Sequence, residues 1–210
     1  MTTDAASAHL RAADPVLAAL IDRVGALPQT SRPSSLPSPG EHYAGLLRAI
    51  VGQQLSTRAA AAIWQRLLAH FDGRQPTPAE VLAADPDELR AAAGLSRAKT
   101  SYLRSLAEHV LDGSLELDRL EQLDDDAVIA ELVAVKGIGE WSAHMFLMFQ
   151  LERPDVLAPG DLGIRRGVQI AYGLGELPTP TEVIALAERW RPYRTAACRY
   201  LWRAIDAPPQ

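Results

Sequence analysis

The sequence predicts an all-α fold, and three observations carry that prediction. Helix-start signals recur along the chain: Asp14-Pro15, Thr77-Pro78 and Asp85-Pro86 each set a capping side chain before a proline at the first helical position. Hydrophobic residues, many of them alanine and leucine, make up 48% of the 210 positions, which suits packed amphipathic helices. No segment alternates apolar and polar residues with β-branched enrichment, so no sheet of importance is expected.

Taken in order, the elements are as follows. Asp14-Pro15 marks an N-terminal helix, and residues 29–40, rich in Pro and Ser, read as a surface connector. Gln53, Gln54 and Leu55 fall between two expected helices. Ser56 opens an alanine-rich helix ending near Phe71, with Trp64 assigned to the core, and Ser96 opens another ending near Gly113. From Asp125 to Ala134, Val128, Leu132 and Val135 recur at helical spacing behind three consecutive aspartates, Asp124 to Asp126. Negative side chains favour that end of a helix. Glu140 resumes as a helix with Ala143, Phe146 and Leu147 on its apolar side. Asp161 is placed to cap the next one. A helix from Thr181 to about Trp190 and a last one starting near Thr195 complete the chain.

Composition bounds the function. No apolar run is long enough to span a bilayer and no signal-peptide pattern stands at the N-terminus, so an intracellular protein is expected. The single cysteine, Cys198, excludes an internal disulfide and a four-cysteine iron–sulfur cluster. The five histidines lack ligand spacing, so their side chains imply no metal site. Net charge is −5, unpromising for a polyanion partner. Yet between Leu162 and Arg203 seven arginines (165, 166, 189, 191, 194, 199 and 203) stand against three glutamates, and Arg48, Arg58 and Arg66 have no acid among them. A local basic face is enough for phosphate contacts.

The stretch from Leu132 to Ala143, Leu-Val-Ala-Val-Lys-Gly-Ile-Gly-Glu-Trp-Ser-Ala, is the most informative in the chain. It reads as helix, two-glycine hairpin, helix. Gly137 and Gly139 allow positive φ or close backbone approach. The N–H groups opening the second helix lack intrahelical acceptors and can hold a phosphate, a contact that reads backbone shape rather than sequence. A bare Gly-Ile-Gly is equally a tight turn between antiparallel helices. Asp161, twenty positions after Trp141 in Ala-Pro-Gly-Asp-Leu, also has two readings. As an N-cap it accepts backbone N–H bonds. The same geometry would suit a fixed carboxylate stabilising positive charge on a sugar as an N-glycosidic bond breaks.

The hairpin, the Pro-Gly-Asp around Asp161, the Ile50–Ser56 Gly-Gln-Gln segment, Gly94-Leu95-Ser96 before Lys99, and Glu188-Arg189-Trp190-Arg191-Pro192-Tyr193-Arg194 together resemble the alkylation-repair branch, the 3-methyladenine DNA glycosylase II type, of the helix-hairpin-helix DNA glycosylases. The resemblance runs from about Asp14 to Trp202. It implies two helical lobes with the base pocket in the cleft between them: residues 1–41 packing with 151–210, which carries Asp161, and residues 42–150 ending in the helix-hairpin-helix at 125–149. It also implies removal of alkylated bases from double-stranded DNA by a monomer in the cytoplasm, associated with the nucleoid, with Asp161 as the catalytic residue.

By the same resemblance Trp141, Trp202 and Tyr193 line the base pocket. Related enzymes that also nick the backbone carry a lysine where Trp141 stands, so lyase chemistry is not expected. Gln54, with Leu55 beside it, is the implied wedge into the DNA stack. Gly137, Gly139, Lys136 and Arg165 are implied phosphate contacts, and main-chain carbonyls of Val133, Val135 and Ile138 the ligands of a monovalent cation (Na+ or K+). No other cofactor is implied. Two other readings stay open: a non-catalytic DNA-binding protein using the same hairpin, and a glycosylase for a different lesion.

Overall fold

The computed structural model describes residues 3–27 and 39–206. Every regular element among them is helical. The connector expected over residues 29–40 lies outside the described residues except for Pro39 and Gly40, which open a helix.

The chain divides into two compact units, Leu36–Phe146 and Met1–Ser35 with Leu147–Gln210. The first contains α3 (Pro39–Gly52), α4 (Thr57–His70), α5 (Pro78–Ala83), α6 (Pro86–Ala93), α7 (Arg97–Leu111), α8 (Asp125–Ala134) and the start of α9 (Glu140–Phe149). The caps are those the side chains dictate. Ser56, Thr77, Asp85, Ser96 and Asp124 each accept backbone N–H bonds from the first turn they precede, and Thr77 closes a capping box with Glu80. Leu47 and Ile50 of α3, Leu67 of α4, Leu89 of α6, Leu103 and Leu106 of α7, and Val128 and Leu132 of α8 are all buried in its core. Trp64 is buried as expected, with the Arg48 guanidinium 4.9 Å above its ring.

The second unit contains α1 (Thr3–Ala13), α2 (Pro15–Val24), α10 (Leu162–Tyr172), α11 (Pro180–Ala187) and α12 (Arg194–Asp206). Two expected starts shift. The helix placed at Thr181 begins at Pro180, because Thr179 is the cap and closes a capping box with Glu182. The last helix starts at Arg194 rather than near Thr195. Asp14 caps α2 from a fully buried position, where its carboxylate also accepts hydrogen bonds from Trp190 and Tyr172.

α10 packs on α12 through two glycines one helical turn apart. A Cβ at Gly167 would stand 2.3 Å from the carbonyl oxygen of Leu201, a backbone atom that cannot step aside without moving α12. Gly167→Ala is therefore expected to lower stability by about 1–3 kcal/mol, the usual cost of overpacking, despite alanine's better helix propensity. Thermal unfolding compared with Gly175→Ala, where a Cβ meets nothing within 4 Å, checks this.

Candidate functional site

In the unit Leu36–Phe146 the hairpin is built by the end of one helix and the start of the next. Val135 caps α8 by donating its N–H to Leu132 O at 3.1 Å, and Ile138 N–H donates to Val135 O at 3.0 Å. The two glycines differ in kind. Gly137 has φ +91° and lies against the Tyr102 ring of α7, where a Cβ would fall 2.1 Å from Cγ. At Gly139 a Cβ would meet nothing within 4 Å. So Gly137 is required by the fold, while the backbone at Gly139 is open to an approaching group. Lys136 donates its N–H to Ser105 Oγ at 3.3 Å and leaves its side chain exposed. Val133 is exposed, whereas the side chains of Val135 and Ile138 are buried.

The loop after α3 is tied to the same framework. Lys99 Nζ donates to Val51 O at 2.8 Å and Gln53 O at 2.7 Å, so an ammonium caps the negative end of α3. Burial pulls its pKa below the ordinary lysine value. Gln53 Nε2 donates to Gly137 O at 2.7 Å, which joins loop to hairpin. Gln54 then turns with φ 58°, a left-handed conformation costing a non-glycine residue about 1 kcal/mol. Gln54 and Leu55 are left exposed side by side. Of the three residues singled out in this loop, Gln53 faces inward and the other two face solvent.

Trp141, in the first turn of α9, is 51% exposed, unusually open for an indole. One turn on, His144 is half-buried. Desolvation lowers its pKa against the opposing charges of Glu140 and Asp125, so its ring is neutral at pH 7.

In the other unit, Asp161 is the N-cap of α10, as its position before Leu162 predicts. Its Oδ1 accepts the Ile164 N–H at 2.7 Å and the Trp202 indole N–H at 2.9 Å. A helix N-terminus and a side-chain donor thus hold a half-buried carboxylate in one orientation. Trp202 in turn stacks on Phe149, with ring centroids 5.9 Å apart and planes 28° off parallel. Tyr193 meets the His9 ring edge-on, centroids 5.2 Å apart.

Several arginines that local charge counting had assigned to a basic face have internal partners. Arg165 Nε donates to Pro178 O at 2.7 Å, and Arg66 Nε to Ala93 O at 3.0 Å. Arg191 and Arg194 both engage the Asp155 carboxylate, at 2.7 and 2.8 Å, and Arg203 donates to Ala26 O at 2.7 Å. Sequence reasoning also missed Tyr102, Phe149 and Gly163. Only Gly163 carried a local signal, its four-residue spacing from Gly167.

The model of the HhH-GPD superfamily of base excision DNA repair proteins matches residues 47–192. This chain belongs to that superfamily. Among curated relatives, DNA-3-methyladenine glycosylase 1 of Schizosaccharomyces pombe is 36% identical over 200 residues, covering 94% of this chain and 86% of that protein. Among solved structures, the 3-methyladenine DNA glycosylase of S. pombe in complex with abasic DNA superposes with a TM-score of 0.81 at 35% identity, covering 94% of this chain and 95% of that one. The DNA-3-methyladenine glycosidase of Bacillus halodurans gives 0.80 at 39% identity, covering 93% and 86%. The all-α architecture is thus that of the HhH-GPD fold. No helix among the described residues is long and apolar enough to cross a membrane.

Proposed function

We propose that this HhH-GPD protein is a monofunctional DNA glycosylase that flips alkylated bases such as 3-methyladenine and 7-methylguanine out of duplex DNA and hydrolyses their N-glycosidic bond, leaving an abasic site. The observation that carries this reading is the Asp161 carboxylate, aimed by the Ile164 N–H and the Trp202 indole at the start of α10. As the C1′–N bond of a 7-methylguanine nucleotide breaks, its electron pair leaves with the base and positive charge develops on the sugar. The fixed carboxylate stabilises that charge without reorganising. Water then bonds to C1′ and its proton passes to solvent. The cationic base departs neutral, so no acid is needed at the base.

The half-exposed Trp141 offers a π-face to the electron-poor base, with Trp202 and Tyr193 as further pocket aromatics. Gln54 or Leu55 fills the gap left in the stack. The open backbone at Gly139, with Gly137 and Lys136, takes a phosphate. Arg165 assists through guanidinium nitrogens other than the Nε held by Pro178. Carbonyls of Val133, Val135 and Ile138 would hold a Na+ or K+ ion between hairpin and phosphate. They suit it: neutral oxygens, those of Val133 and Val135 at the negative end of α8, with a second lone pair on Val135 O beside the one accepting Ile138 N–H. The protein acts as a monomer inside the cell.

The test is single-turnover incubation with duplex DNA carrying 7-methylguanine or 3-methyladenine. Release of free base is expected, with strands that break only after alkali. Borohydride should trap no covalent adduct, since Trp141 supplies no amine for a Schiff base. DNA binding without base release would instead point to a binding protein or a different lesion.

A further inference from the structure

Trp202 touches three things that together define its job. Its Nε1–H donates to Asp161 Oδ1 at 2.9 Å, and one face of its indole stacks on Phe149. Its five-membered ring lies so close to α10 that a Cβ at Gly163 would stand 2.8 Å from Cδ1, 2.9 Å from Nε1 and 3.0 Å from Asp161 Oδ1. Contacts that short force a neighbour to move, and the neighbours here are the carboxylate and its donor.

Deepening the glycosylase reading and resting on it, we infer that Phe149 and Gly163 form the seat of Trp202, and that they are positioning residues which hold its indole N–H on the Asp161 carboxylate. Phe149 supports the indole from its face. Gly163 leaves room for its edge. The face turned toward Phe149 is partly covered, so Trp202 serves first as the carboxylate's donor.

The seat explains a glycine in the first turn of a helix where alanine would be the better helix former. It also explains a phenylalanine that remains 45% exposed at the end of α9. Phe149 loses little by being half-wet if its use is one ring face. Neither residue needs to touch DNA.

The experiment is a double-mutant cycle on single-turnover excision of 7-methylguanine. Gly163→Ala is expected to slow base release by about 10- to 100-fold, the scale on which a displaced catalytic group costs rate. Its affinity for an abasic-analogue duplex should stay at the wild-type value, and its melting temperature should fall by less than that of Gly167→Ala, whose Cβ meets backbone rather than a side chain. In a Trp202→Phe background, which has no indole N–H to displace and keeps only the looser 3.0 Å contact with Asp161 Oδ1, Gly163→Ala should cost far less than in the wild type. Phe149→Tyr should keep the rate, because the stack survives, while Phe149→Leu should lower it. Additive losses, or a wild-type rate in Gly163→Ala, would overturn the seat.

A readout free of activity separates this from the reaction itself. In protein labelled with 5-fluorotryptophan, the fluorine resonance assigned to Trp202 should shift in Gly163→Ala and Phe149→Leu but not in Phe149→Tyr. If the wild type releases no alkylated base, the glycosylase reading fails while the fluorine shifts still decide the seat. Unmoved resonances would remove it whatever the activity.

Discussion

Asp161→Asn is expected to lower single-turnover excision of 7-methylguanine by about 10²- to 10³-fold or more, the scale of losing one preorganised electrostatic partner. Duplex affinity and melting temperature should barely change. The substitution separates the two uses of this side chain. Asparagine caps helices about as well as aspartate, and its amide oxygen can still accept the Ile164 N–H and the Trp202 indole N–H now held by Oδ1. What it removes is the charge that, in the proposed reaction, faces the developing cation on the sugar. A variant that folds and binds while failing to release base would assign the charge to chemistry. A variant that excises at the wild-type rate would reduce Asp161 to a cap.

That the cap at Asp161 is legible in the sequence has a physical reason. Caps, prolines at the first helical position and the glycine hairpin are local codes, and Asp124, Thr77, Ser96 and Asp161 all behave as their neighbours dictate. At α11 two local signals compete: Thr179-Pro180 with Glu182 three residues after the threonine is a capping-box signature, and it outranks Thr181. Contacts between distant segments have no such code. Nothing around Tyr102 says that its ring lies under Gly137, thirty-five residues on, nor does Lys99 advertise the carbonyls of Val51 and Gln53.

Charge counting is incomplete for a related reason. A formal charge says nothing about how a guanidinium is used, and the stretch from Trp190 to Arg194 is largely a clamp. Trp190 is buried on Asp14, while Arg191 and Arg194 close on Asp155. The hairpin and the carboxylate were therefore legible, whereas the parts that hold them still were not.

The clamp leads to the largest stability effect expected in this chain. Asp14→Ala should destabilise the protein by about 3–5 kcal/mol. The carboxylate has no exposed surface and accepts hydrogen bonds from the Trp190 indole at 3.0 Å, the Tyr172 hydroxyl, and the N–H groups of Val16 and Leu17. Removing it strands a fully buried indole N–H and a half-buried hydroxyl, at about 1–3 kcal/mol each, and deletes a helix cap worth about 1 kcal/mol.

The same group sets an acid limit. Burial by itself would raise the Asp14 pKa, but the Tyr172, Trp190, Leu17 and Val16 hydrogen bonds outweigh it and hold the carboxyl below its ordinary value of about 3.9. Since the folded value is the lower one, the stabilisation is complete above the unfolded value and is lost as pH falls through the folded value. Melting temperature measured from pH 7 down to pH 2 should therefore fall in the wild type below about pH 4, with Asp14→Ala starting lower and falling less over that range. Parallel curves for the two proteins would mean that Asp14 is not the group whose protonation loosens this unit.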